Sequence, residues 1–135
     1  MKKIPKYFLL DVDGVMTSGN FIYSRKGKIY KEFGPDDSDA LNVLKKFIKI
    51  QFITSDKKGF SISKKRIHKD MGFNINLIPT FQRVKWAEKN LDLNHTIFMG
   101  DGIFDYMLMK KTFYSICTKN CSSIAKKYAN FQTKS

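Results

Sequence analysis

The 135 residues contain three prolines, one tryptophan and two cysteines. Two cysteines cannot staple a small disulfide scaffold, which excludes the cysteine-rich secreted class. Cys117 and Cys121 are four residues apart, a spacing that on a helix would share one face and bridge only under strain. They read as buried or bystander thiols. No uncharged apolar run approaches the roughly 18 residues of a membrane-spanning helix. The chain opens Met-Lys-Lys-Ile-Pro-Lys-Tyr before a short apolar stretch, which has a flavour of a signal peptide. Asp11 and Asp13 interrupt that stretch and no small-residue cleavage site follows, so it reads as the lead-in to a first strand, and a cytoplasmic protein is expected. Acidic residues are few, 12 against 25 basic, for a net charge of +13. Yet arginine is nearly absent, with only Arg25, Arg66 and Arg83. Arginine is the usual reader of base edges and two-pronged gripper of phosphates. With lysines spread along the whole chain, a solvated basic surface is expected rather than a dedicated nucleic-acid binder.

What is present suffices for a folded core: hydrophobic residues make up 42% and aromatic residues 14%. Neither repeats nor low-complexity linkers divide the chain, so residues 1–135 are expected to form one domain. The apolar run 7–12 reads as a buried strand ending at Asp11. Segments 20–24 and 28–33, around Arg25-Lys26-Gly27, read as a β-hairpin, an insertion at about 18–33. Helices are expected over 39–48, with Leu41, Leu44 and Ile48 on one face, over 59–70 as a basic amphipathic segment stopped by Gly72, over 82–91 with Val84, Ala87 and Leu91 inward, at 104–110 and at 122–128. Further strands are expected at 50–53, 76–79, 96–99 and 114–117, then a polar tail. Alternating strands and helices at this spacing predict an α/β fold, a parallel sheet covered on both faces.

In such sheets ligands sit beyond the carboxyl ends of the strands. Three expected strand ends carry chemistry-bearing residues: Asp11 and Asp13, Thr54 and Ser55, and Asp101 with Asp105. In Asp11-Val12-Asp13-Gly14 the chain must turn after Asp11 for both carboxylates to serve one site, and Gly14 permits that turn. One carboxylate can then attack while the other moves a proton. Clustered carboxylates repel unless a hard divalent cation lies among them, and oxygen donors of this kind suit magnesium. A calcium loop is the competing reading of Asp-x-Asp-Gly. It needs further oxygen ligands that Val15 and Met16 do not supply.

Asp11-Val12-Asp13-Gly14-Val15-Met16-Thr17 resembles the first motif of the haloacid dehalogenase-like hydrolases. Thr54-Ser55 resembles the second, Lys85 in Gln-Arg-Val-Lys-Trp the third, and Gly100-Asp101-Gly102-Ile103-Phe104-Asp105 the fourth. All four occur in order over roughly residues 7–110. Thr17-Ser18-Gly19, the hairpin, and Lys31-Glu32-Phe33 leading to Asp36-Asp37-Ser38-Asp39-Ala40-Leu41 resemble the cap-less branch acting on 3-deoxy-octulosonate 8-phosphate and nine-carbon sialic-acid-like 9-phosphates.

The resemblance implies a single Rossmann-like three-layer α/β/α domain with a hairpin insertion and no cap domain. It implies a cytoplasmic Mg2+-dependent phosphatase of surface-glycan or lipopolysaccharide precursor synthesis, assembled as a homo-tetramer through the hairpins. Its substrate would be a small phosphorylated sugar acid. Asp11 would be the nucleophile and Asp13 the proton donor and acceptor. The metal would be held by Asp11, Asp13 through its backbone carbonyl, and Asp101, with Asp105 and Gly14 supporting. The phosphoryl oxygens would be held by Thr54, Ser55 and Lys85. The fourth motif departs from many relatives in having Gly102 in place of a second acid. Ser135 falls where relatives continue into a glycine-rich turn and a final helix that can reach a neighbouring active site and shape specificity, which leaves substrate choice, turnover and oligomer stability open. Two other readings remain: the same chemistry on nucleotide or nucleic-acid phosphate ends, and a non-catalytic family member acting in binding or assembly.

Overall fold

A computed structural model describes residues 3–135. Strand β1 (Tyr7–Asp11) is flanked by β4 (Lys49–Thr54) and β6 (Thr96–Gly100), both parallel to it. β5 (Asn74–Leu77) extends the sheet beyond β4, and β7 (Tyr114–Cys117) with the short β8 (Phe131–Gln132) extends it beyond β6. The order β5-β4-β1-β6-β7-β8 is parallel at every pairing. β2 (Thr17–Ser24) and β3 (Gly27–Phe33) form a separate antiparallel hairpin.

Successive side chains of the central strands point to opposite faces, and each face buries its own cluster. Leu9, Ile53 and Phe98 pack with Ala87, Leu108 and Ala125 from α3 (Arg83–Asn90), α4 (Tyr106–Met109) and α5 (Ser123–Tyr128). Leu10 and Phe52 pack on the other face with Leu41 from α1 (Asp36–Leu44) and with Ile67, which follows α2 (Phe60–Lys64). The layers are therefore helices, parallel sheet and helices, the Rossmann-like α/β/α class expected, with only the hairpin inserted between β1 and α1. After β5 the chain crosses back to the far side of β1. The strand order reverses at β1, so the crevice of a doubly wound sheet opens above Asp11. Among the described residues no helix is long and apolar enough to cross a membrane.

Several boundaries differ from expectation. The first helix spans Asp36–Leu44 rather than 39–48. Asp36, Asp37 and Asp39 fall in its first turn, where the helix dipole favours carboxylates. It ends at a tight turn in which Phe47 and Ile48 both donate backbone N–H groups to Leu44 O, so Leu44 and Phe47 are exposed and only Leu41 is buried. The segment 59–70 is α-helical only to Lys64, and Lys65–Asp70 winds as a π-helix before Gly72 at φ +80°. β5 lies at Asn74–Leu77 rather than 76–79, because Pro79 has no N–H to continue a ladder. β8 emerges from the expected polar tail, as two residues carry no readable alternation. The cysteines do not share a helix: Cys117 ends β7 and Cys121 lies in the turn before α5.

Candidate active site

The carboxyl ends of β1, β4 and β6 deliver Asp11, Thr54 and Gly100-Asp101 to the crevice. After Asp11 the chain turns at once: Val12 O accepts from the backbone N–H groups of Met16 (2.8 Å) and Val15 (3.2 Å). Gly14 adopts φ +82°, a conformation side-chain-bearing residues rarely take. A Cβ there would also collide with the Asp101 carboxylate. The Thr17 hydroxyl clasps the loop by accepting from Gly14 N and Gly19 N, both at 3.1 Å.

Asp11, Asp101 and Asp105 each bring one carboxylate oxygen within 4.8 Å of the others. Burial raises the Asp11 pKa well above the usual carboxylate range; Asp105 and Asp101 add to the rise and Arg83 opposes it. Asp101 is pushed up to about 6 by burial, with Asp105 and Asp13 contributing. Asp105 is fixed from below, its Oδ2 accepting from Asp101 N (2.9 Å) and Gly102 N (2.8 Å). Three crowded carboxylates against one guanidinium leave a surplus of negative charge in a low-dielectric pocket. A hard divalent cation with oxygen ligands matches that donor set.

Arg83 is the cation of this cluster. Its Nη1 donates to Asp105 Oδ1 (2.7 Å), Nη2 to Asp11 Oδ1 (3.2 Å) and Nε to Ser55 Oγ (2.9 Å), and Ser55 Oγ in turn donates to Ile78 O (2.7 Å). The sequence reading named Lys85 instead, and the structure does not bring Lys85 to the site. Two residues along a helix turn about 200°. Arg83 shares the inward face with Ala87, while Lys85 is exposed beside Gln82, Trp86 and Lys89. The signal was present in the expected helix: an inward face of Val84, Ala87 and Leu91 already places 83 inside and 85 outside.

Asp13 stands in a second cluster that sequence reasoning missed. Lys31 Nζ, its side chain wholly buried, lies 2.9 Å from Asp13 Oδ1 and 2.9 Å from Asp56 Oδ2, and donates to Ser63 Oγ (2.8 Å). Lys28 Nζ meets Asp56 Oδ2 at 2.7 Å. Burial pushes the Asp56 pKa up, but hydrogen bonds from Lys28 and Lys31 outweigh it and hold the carboxyl at about 2. Lys28 and Lys31 are three residues apart on β3 and both reach back to the body of the protein, a contact no linear motif announces. Thr54 is buried at the end of β4, where its hydroxyl accepts from Asp56 N (3.1 Å). Thr54 and Ser55 thus sit at the site, with Ser55 linked to Arg83. A cavity of about 200 Å³ opens beside the carboxylates, lined by Gly14, Thr17, Ser18, Asp101, Thr118 and Lys119 among others.

Comparison with known proteins agrees with this architecture. The cobalt-bound deoxy-D-mannose-octulosonate 8-phosphate phosphatase of Haemophilus influenzae superposes with a TM-score of 0.80 at 20% identity, covering 98% of this chain and 80% of that one. The 3-deoxy-D-manno-octulosonate 8-phosphate phosphatase of Moraxella catarrhalis, in complex with magnesium, phosphate and the sugar acid, gives 0.78 at 23%, covering 98% and 78%. That of Yersinia pestis gives 0.79 at 18%, covering 96% and 72%. At such identities the likeness is one of fold. No curated protein sequence matches the chain. The family model for haloacid dehalogenase-like hydrolases matches residues 42–135, from α1 through the two strand ends that carry Thr54 and Asp101. The chain belongs to the haloacid dehalogenase-like hydrolases.

Proposed function

We propose that this hydrolase is a Mg2+-dependent phosphatase of a small sugar-acid phosphate, 3-deoxy-octulosonate 8-phosphate or a nine-carbon sialic-acid-like 9-phosphate, working through an aspartyl-phosphate. The observation that carries the reading is the division of labour between two carboxylates two residues apart. Asp11 faces Arg83, Asp101 and Asp105, whereas Asp13 faces Lys31. A carboxylate among metal-ligating acids and beside a guanidinium is placed to attack phosphorus. A carboxylate on a separate, lysine-supported perch is placed to hand a proton to the leaving alcohol and then take one from water.

Asp11, Asp101 and the Asp13 backbone carbonyl would hold the cation, with Asp105 backing Asp101. The cation would supply charge neutralisation for the phosphoryl group and the attacking carboxylate. Arg83 anchors Asp11 and Asp105 and offers donors to phosphoryl oxygens, a role that suits its planar fork better than a lysine. Thr54 and Ser55 present hydroxyls on the same side. Phosphoryl transfer asks chiefly for positioning and charge compensation, and these residues supply both. Lys31 holds Asp13 in place. The sugar-acid substrate class draws support from the hairpin, the missing cap and the named activity of the structural neighbours. A homo-tetramer packed through the hairpins belongs to the same reading. Ile22, Tyr23, Ile29 and Tyr30, exposed on the hairpin, offer an apolar surface for it.

Purified protein should release inorganic phosphate from one of these sugar-acid phosphates only when Mg2+ is present. Asp11→Asn should abolish release while leaving the melting curve intact. Undiminished turnover in that variant would refute the mechanism, and a strong preference for phosphorylated oligonucleotides would refute the substrate class.

A further inference from the structure

The phosphoryl chemistry leaves unused the cavity of about 200 Å³ beside Asp101. One wall is the loop after β1, with Gly14 and Ser18. The other is the turn between β7 and α5, with Thr118, Lys119 and Asn120. Asp101 and Gly14 belong both to this cavity and to the candidate active site, so the two spaces adjoin.

The turn is fixed in place. Ser122 N donates to Asp101 O (2.8 Å) and Cys121 N to Thr118 O (3.1 Å). Lys119 N donates to Thr133 Oγ1 (3.1 Å), and Gln132 Nε2 donates to Lys119 O (3.0 Å) and Thr118 O (3.4 Å). These bonds use the backbone of the turn, so the side chains of Thr118 and Lys119 stay available. Thr118 Oγ1 is buried with no hydrogen-bond partner among the described residues, a state that costs free energy until a partner meets it. Lys119 is exposed and makes no ion pair among the described residues. An ammonium, a carboxamide and two hydroxyls converging on one hollow suit a carboxylate with hydroxyls beside it.

We propose that this cavity receives the acid end of the substrate, with Lys119 and Asn120 meeting its carboxylate and Thr118 and Ser18 meeting the adjacent hydroxyls. The proposal rests on the sugar-acid reading of the site and adds the residues that select an acid over a neutral sugar phosphate. A sugar acid phosphorylated at its last carbon carries its two charged groups at opposite ends of one chain. The arrangement here has the same polarity: the phosphoryl group belongs at Asp11, whose carboxylate lies within 4.8 Å of that of Asp101, and the cavity begins on the other side of Asp101. Asp101 repels a second carboxylate, so the acid end lies toward Lys119.

The test uses the full-length protein and its Lys119→Gln and Thr118→Val variants. Binding of unphosphorylated 3-deoxy-octulosonate, of a nine-carbon sialic acid and of their methyl esters is followed by nuclear magnetic resonance titration. KM and kcat are measured with Mg2+ on the matching phosphates and on a generic aryl phosphate. One of the two free acids should bind about tenfold tighter than its ester, Lys119→Gln should erase that difference, and Thr118→Val should weaken acid and ester alike by about threefold. In turnover, Lys119→Gln should raise KM for the sugar-acid phosphate about tenfold and move kcat by less than about twofold, so that its preference over the aryl phosphate falls by about tenfold. A folded Lys119→Gln protein that still prefers acid to ester would overturn the proposal. So would an equal loss on the aryl phosphate, or acetate binding as tightly as the sugar acid. Acid binding that depends on Lys119 in a protein that hydrolyses no phosphoester would support the cavity and count against the phosphatase reading. Hydrolysis with no discrimination of acid from ester would do the reverse.

Discussion

Replacing Arg83 by alanine removes the guanidinium that touches Asp11, Asp105 and Ser55 at once. Asp105 is only 2% exposed, so its charge cannot recover by turning to water. Breaking a buried pair from one side costs about 3–5 kcal/mol. Asp105 Oδ2 keeps its two backbone donors, which places the expected loss near the low end, about 3 kcal/mol, or about 10 °C in melting temperature for a domain of this size. On the proposed phosphatase reading catalysis should suffer further, because the guanidinium beside Asp11 disappears: kcat/KM should fall by about 100- to 1,000-fold. Arg83→Lys should land between, keeping the charge but unable to serve three partners. Lys85→Ala should change stability by less than about 0.5 kcal/mol and leave kcat/KM within about twofold, since Lys85 lies on the exposed face. Thermal melts and Mg2+-supported phosphate release from a generic aryl phosphate measure both effects. If Lys85→Ala silences the enzyme while Arg83→Ala does not, the assignment of the phosphate-side cation to Arg83 is wrong.

Gly14→Ala should abolish Mg2+ binding by calorimetry while the fold survives, because the added Cβ meets the Asp101 carboxylate and the backbone is left-handed there. Asp56, held at about 2 in the fold against 3.8 ordinarily, binds protons less readily when folded than unfolded. Its stabilisation is therefore present above about pH 4 and is lost as pH falls through about 2, and Asp56→Asn should remove about 1 kcal/mol of acid-sensitive stability after solvent screening. Denaturant melts of both proteins between neutral pH and pH 2 check it: the difference between them should shrink in acid. Phe52→Ala, which empties a fully buried site against Phe73 (ring centroids 5.9 Å apart), should cost about 3–5 kcal/mol by chemical denaturation.

The central strands were legible because continuous apolar runs such as Phe8-Leu9-Leu10 and Phe52-Ile53 end at polar residues, and that pattern marks a buried parallel strand. The same endings place Asp11, Thr54 and Asp101 at one crevice. Helix ends were less readable. The 39–48 reading followed the spacing of Leu41, Leu44 and Ile48, whereas the aspartates of the first turn and the tight turn after Leu44 set the real limits. The linear motif points to Lys85, whereas helix phase turns Arg83, not Lys85, toward the carboxylates. The Lys31–Asp13–Asp56 cluster was invisible because it joins the hairpin to β1 and the loop after β4, and pairing across 18 and 25 residues leaves no periodic trace.

That cluster couples two parts of the molecule that share no sheet. Among the described residues the hairpin pairs only with itself, yet through Lys31 it holds Asp13. Any force that lifts β3 from its seat strips Asp13 of its cation and leaves its carboxylate free to swing. Docking on the outer face of the hairpin would therefore act as a rheostat on proton transfer, with no contact to the substrate.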